Sequence, residues 1–223
     1  GFERLEVTGA TGTQAIDTAA LGNYNDIIVT AGAAAVATLT LNNLSSGATI
    51  RLNDAVGATN AGDAIVANIK DATTNLTDVL NVAITANAAA DGTADDHGTI
   101  TAAKVETINI SVTNGLIQTP TNIAPDAQTL TLTADEATSV NVTGDTALTL
   151  TLTGSDKVAT IDASTASGAL SVNLAAHNGV VMTVKGGSGN DVLAATVGAN
   201  AKTDVLQGGA GNDTLVAGTN GAT

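Results

Sequence analysis

Two nine-residue segments near the C-terminal end carry the residues best suited to chemistry, GGSGNDVLA at 186–194 and GGAGNDTLV at 208–216. Gly186, Gly187 and Gly189, and again Gly208, Gly209 and Gly211, lack a Cβ and can take positive φ, so main-chain carbonyls can converge on one point. Asp191 and Asp213 bring anionic oxygen to the same turns. An all-oxygen donor set suits Ca²⁺ better than zinc or copper. Carbonyls from Gly186 through Ser188 to Asn190, and from Gly208 through Ala210 to Asn212, would complete a shell of about six or seven oxygens.

Each turn runs into a few apolar β-formers, so the unit is a metal-binding turn joined to a strand. The two segments resemble the G-G-x-G-x-D-x-U-x repeat of RTX proteins, which implies a Ca²⁺-binding parallel β-roll. A degenerate third copy lies between them, where Asp204 is followed by Val205 and Leu206. Asp204 stands nine residues before Asp213 and thirteen after Asp191, so one turn carries a four-residue insertion, expected to bulge near Ala199 to Lys202. In a roll with one turn on each edge, Asp191 and Asp213 fall on the same edge and are expected to share one ion. Asp204 falls on the other edge, without a glycine pair, and is expected to form at most a partial site.

The elements that must position these turns are legible in the composition. Aromatic residues are 1% of the 223 and Trp is absent, so Ala, Val, Leu and Ile must fill the interior. That suits thin stacked layers in which each rung buries small side chains against its neighbours. Of the 21 acidic residues, 17 are Asp, which favours turns and calcium sites over helices. The net charge of −14, with seven scattered Lys and Arg, argues against a nucleic-acid partner and implies self-repulsion that divalent cations would relieve. The absence of Cys excludes disulfides and thiolate metal sites. The longest mostly apolar run, Ile27 to Leu41, is broken by Thr and Gly and falls short of a membrane span, so no membrane insertion is expected. The chain shows no signal peptide and begins at Gly1, and it reads as a fragment of a longer polypeptide.

Strand-like segments alternating Thr or Asn with Val, Leu or Ile recur from GFERLEVTG (1–9) to VVMTV (180–184). In VETINISV (105–112), Glu106, Ile108 and Ile110 repeat the roles of Glu3, Leu5 and Val7. Ile65, Val66 and Ile69 have helical spacing after Asp63, a candidate cap, which leaves a short helix open there. DGTADDHG (91–98) reads as an acidic solvated loop, with cation binding by Asp95, Asp96 and His97 as the alternative, and His177 as a turn cap. From residue 129 a strand and turn recur about every ten residues, suiting parallel coiled rungs with aliphatic ladders inside and Thr or Asn ladders outside; a sandwich of short antiparallel strands is the rival. Asp135, Asp145 and Asp156 each follow a strand and, with the rungs in register, are expected to stack along one edge as a further cation ladder, or else to sit in solvated turns.

The succession GFERLEVTG, VETINI, TLTL, SVNVTG, LTLTLTG, IDAS and V-x-GG-x-G-x-D resembles the C-terminal assembly region of Caulobacter-type bacterial surface-layer (S-layer) proteins. The resemblance is best from Lys104 onward and weak across 53–75 and 86–103. It implies a type I-secreted, extracellular protein that folds on Ca²⁺, with the turns of Asp191 and Asp213 as ligands. It also implies self-association into a two-dimensional lattice, with cell-surface anchoring by a part of the chain outside these residues. The expected organisation is an all-β parallel β-solenoid over 1–185 running into an RTX β-roll over 186–223. An adhesin or biofilm-matrix module, or the repeat region of a secreted RTX exoenzyme, is the alternative. An active site is not expected, since there is no H-E-x-x-H, no G-x-S-x-G, and His97 and His177 are the only histidines.

Overall fold

A computed structural model of the chain describes residues 4–8, 12–30, 38–53, 63–87, 92–116, 125–174, 180–194 and 204–216. The strands come in pairs, one pair per coil. The first coils are β1 (Leu5–Thr8) and β2 (Gln14–Asp17), β3 (Asp26–Thr30) and β4 (Thr38–Leu44), then β5 (Ala48–Asn53) and β6 (Ala64–Ile69). The middle coils are β7 (Val79–Ala86) and β8 (Asp95–Thr101), β9 (Thr107–Asn114) and β10 (Gln128–Thr133), then β11 (Ser139–Gly144) and β12 (Leu148–Leu152). The last are β13 (Thr160–Asp162) and β14 (Leu170–Asn173), β15 (Thr183–Lys185) and β16 (Val192–Ala194), then β17 (Val205–Gln207) and β18 (Thr214–Val216).

The odd strands form one parallel sheet in chain order and the even strands form a second. This is the expected parallel β-solenoid, and the antiparallel sandwich is excluded because each described pairing is parallel. Both sheets run through position 185/186 without a break, β13 pairing with β15 and β14 with β16. Turns from an odd to an even strand lie on what we term the first edge, and turns from an even to an odd strand on the second.

The alternation seen in the sequence sets the register. In the first sheet Leu5, Ile27, Ile50, Val82, Ile110 and Val142 stack in line. Leu130, Leu150, Val172 and Leu193 do the same in the second. Apart from half-buried Leu5, these side chains form the shared interior between the sheets. Burying each stabilises the fold by about 1.5–3 kcal/mol relative to exposure. On the outer face Asn81, Asn109 and Asn141 stack as an amide ladder, with Asn109 Nδ2 to Asn81 Oδ1 at 2.9 Å and Asn141 Nδ2 to Asn109 Oδ1 at 2.8 Å.

Two expectations are corrected. The helix considered at Ile65, Val66 and Ile69 is strand β6, in which Ile65, Ala67 and Ile69 are buried in strict alternation; the two-residue period and a ready partner strand prevail over helical spacing. The 91–98 segment is not a solvated loop throughout, since Asp95 onward is strand β8. A bulge sets His97 and Gly98 against the single residue Leu130, which turns His97 into the interior, where its Nε2 lies 2.7 Å from Gln128 Oε1. Asp95 is meanwhile an acceptor for Gln128 Nε2 at 2.8 Å. Finally, no sign in the sequence announced the single helical turn, α1 (Thr18–Leu21), capped by Asp17. His177 lies outside the described residues.

Replacing Ile110 with Ala should cost about 2–5 kcal/mol, because it opens a cavity in a ladder with no room to collapse. Replacing Leu76, which is 73% exposed, should change stability by no more than about 0.5 kcal/mol. Urea unfolding of both variants in saturating calcium checks this, and equal losses would contradict the interior described here.

Candidate metal centre

The turn 186–191 joins β15 to β16 and the turn 208–213 joins β17 to β18. β16 and β18 are direct neighbours with Val192 opposite Thr214, so Asp191 and Asp213 stand at one register position on successive coils of the first edge. Asp204 precedes β17 and is on the second edge. These placements match the sequence expectation. The insertion expected near Ala199 to Lys202 lies outside the described residues.

Asp191 is completely buried. Its Oδ1 accepts the Leu170 N–H of the preceding coil at 2.6 Å, and its Oδ2 accepts the Gly187 N–H of its own turn at 2.9 Å. Asp213 repeats the first contact, its Oδ1 accepting the Asp191 N–H at 3.0 Å. The two turns are laced together as well. The Ala210 N–H donates to Gly187 O at 2.9 Å and the Asn212 N–H to Asn190 Oδ1 at 2.8 Å, while the Ser188 N–H donates to Ala166 O at 2.9 Å one coil earlier.

Glycine is required because the turns lie so close. A Cβ on Gly186 would overlap both Asp191 Oδ2 and Gly208 O, and one on Gly209, whose φ is +93°, would overlap Gly187 O and crowd Gly186 O. The atoms nearest the missing methyl groups of Gly186 and Gly209 include a carboxylate oxygen and main-chain carbonyl oxygens. That donor set fits a hard cation. Asp191 Oδ2 and the carbonyl oxygens of Gly186, Gly187 and Gly208 are the oxygens that lie closest to these positions.

Residues 185–220 match the family model of the RTX calcium-binding nonapeptide repeat (4 copies). No curated protein and no solved structure matches the chain. The chain is thus a parallel β-solenoid whose last coils carry a calcium-binding repeat, and Ca²⁺ is the ion of those coils. Bound calcium supplies the positive charge that offsets the acidic turns.

The expected ladder of Asp135, Asp145 and Asp156 is not formed. Asp135 and Asp156 follow β10 and β12 on the second edge, whereas Asp145 follows β11 on the first. Ten or eleven residues make half a coil here, so successive Asp residues alternate edges, as the nine-residue spacing does in the glycine turns. Asp135 lies beside Lys104, with Oδ2 3.6 Å from Nζ, and Oδ1 accepts the Lys104 N–H at 3.0 Å. Asp145 Oδ1 accepts the Asn114 N–H at 2.8 Å. Asp156 is exposed in its turn.

Sequence reasoning missed a contact that recurs at these positions. An acid at a turn accepts a main-chain N–H from the coil before it, in Asp135, Asp145, Asp191, Asp204 and Asp213, and in Glu106 with the Asp78 N–H at 2.7 Å. The only available signal was the position of each acid, at or beside a strand end. Other acids are balanced by cations on neighbouring rungs. Glu136 is bonded by Lys157 and Lys104, which hold its carboxyl below the usual range, and Asp26 lies between Arg51 and Arg4.

Asp162 is the clearest case. Hydrogen bonds from Ser164 and then Lys185, the latter at 2.9 Å, lower its pKa from 3.8 to about 2. Because the folded value lies below the unfolded one, the carboxylate favours the fold fully above about pH 4, and this contribution fades as pH falls through about 2. Asp162→Asn should therefore melt below wild type near neutral pH, with the gap closing between about pH 4 and pH 2. A gap independent of pH in a melting series would refute the assignment.

Proposed function

We propose that this chain is the calcium-dependent assembly region of a secreted bacterial surface-layer protein, non-enzymatic, which orders outside the cell and associates with itself into a two-dimensional lattice. The observation that carries the reading is the continuity of the two sheets from the first coil into the calcium turns. A solenoid built this way is a stiff rod whose last coils depend on an ion. The order of sequence motifs resembling Caulobacter-type surface layers points the same way. Supporting a non-enzymatic role, the sequence lacks H-E-x-x-H and G-x-S-x-G, and His97 is tied to Gln128 in the interior.

Extracellular calcium modules commonly bind at about 10⁻⁴–10⁻³ M, well above cytosolic calcium, so the acidic chain stays loose inside the cell and orders after export. Circular dichroism should gain strand signal and melting temperature on passing from EDTA to millimolar calcium, and electron microscopy of the full-length protein should then show ordered sheets. Calcium-driven folding without sheets would favour the adhesin or matrix module, or the repeat region of an exoenzyme. No response to calcium would overturn the proposal.

Asp191 and Asp213 are proposed to hold one shared ion between their turns. Each single Asn variant should lose that ion, and the double variant should lose little more than either alone, a departure from additivity larger than the about 0.5 kcal/mol seen for independent sites. Additive losses in calcium titrations would place the carboxylates on separate ions.

A further inference from the structure

The glycine turns are not the only place where an acid enters a strand. Asp78-Val79-Leu80 repeats the tripeptide of Asp191-Val192-Leu193 and of Asp204-Val205-Leu206. In all three the Asp stands just before a strand, and Leu80 and Leu193 are fully buried. Asp78 is on the second edge, at the entrance to β7, in the body of the solenoid where no glycine pair drew attention to it.

Its surroundings reproduce the acid pairing of the RTX edge. Glu106 precedes β9, which pairs directly with β7, Val79 lying opposite Thr107. Glu106 and Asp78 are therefore equivalent residues on successive coils, as Asp213 and Asp191 are. The Asp78 N–H donates to Glu106 Oε2 at 2.7 Å, the counterpart of the Asp191 N–H donating to Asp213 Oδ1 at 3.0 Å. The coils are closed further by the Glu106 and Thr107 N–H groups, which donate to Asp78 O at 3.2 and 3.0 Å.

One atom in this arrangement is left without a partner. Asp78 is completely buried, and its Oδ1 accepts Asn75 Nδ2 at 2.5 Å, but its Oδ2 is buried with no hydrogen bond. Among the described residues no Lys or Arg forms an ion pair with Asp78 or Glu106. A buried carboxylate oxygen with no donor and no ion-paired Lys or Arg is strongly unfavourable in its charged form unless a positive charge is bound there. The two carboxylates offer only oxygen, which suits a hard divalent cation.

We infer that Asp78 and Glu106 form a second calcium site, on the edge opposite the RTX turns and several coils away. Asp78 Oδ2 is the buried anchor, and Glu106, half-buried at the rim, is the second carboxylate. This site would pin the middle coils as the glycine turns pin the last ones, and it stands independently of the surface-layer reading.

The test is the number of Ca²⁺ bound per full-length chain, titrated against a fluorescent chelator for wild type, Asp78→Asn, Glu106→Gln and the double variant, with Asp213→Asn as a control for the RTX edge. Each of the first three variants should bind one ion fewer than wild type, and the double variant no fewer than the singles. Glu106→Gln decides the matter if Asp78→Asn does not fold, its circular dichroism in calcium being matched to wild type. Wild-type stoichiometry in Glu106→Gln overturns the inference and leaves Asp78 buried as the neutral acid. A loss confined to Asp213→Asn would overturn it while leaving the RTX site intact, and a wild type that binds no calcium would overturn both.

Discussion

Every coil of this solenoid must lie on the one before it, about 4.8 Å away, along its whole perimeter. Within the strands the parallel ladders meet that requirement, but at the turns main-chain N–H groups have no ladder partner and cannot be buried unpaired without cost. The chain meets the difficulty with short acidic side chains that reach back by one coil. Asp135, Asp145, Asp191, Asp204 and Asp213 each accept an N–H of the preceding coil, and Glu106 does so once with a longer arm. The excess of Asp over Glu is thereby tied to the fold: a carboxylate one methylene from the backbone spans the distance between turns without a bulging side chain.

This device accumulates negative charge along both edges, and the chain has seven cationic side chains for 21 acids. Where a Lys or Arg is at hand, charge is balanced rung by rung, as in Arg4, Asp26 and Arg51, in Lys104, Glu136 and Lys157, and in Asp162 with Lys185. Exposed pairs of this kind contribute little each, about 1 kcal/mol or less. At the glycine turns the coils come so close that even a Cβ would overlap a carboxylate or carbonyl oxygen of its own or the neighbouring turn. A bare divalent ion is the compact source of positive charge there, which links the order of the last coils to calcium.

Much of this was legible in the sequence, because β periodicity and glycine chemistry are local. The alternation in Thr107–Asn114 and Gln128–Thr133 specified which side chains face inward, and the parallel coils followed from the spacing of such segments. The nine-residue spacing of the glycine turns correctly set Asp204 apart from Asp191 and Asp213. The same half-coil rule, applied to Asp135, Asp145 and Asp156, separates Asp145 from the other two.

What the sequence by itself determined, then, was the kind of structure and the ion, through residue types whose backbone preferences act over a few positions. Outside the glycine turns, only the tertiary structure decided which charged side chains meet. Asp78 and Glu106 are 28 residues apart, Asp191 and Asp213 are 22 apart, and Lys104 and Asp135 are 31 apart, because coils differ in length. The glycine motif marks the pair Asp191 and Asp213, but no fixed period in the sequence picks out the other two. The bulge that turns His97 inward is likewise set by register against Leu130 and not by the local run of acidic residues. Contacts between coils depend on the summed length of two strands and two turns, and turns of different length shift the sequence separation of the side chains that share an edge position.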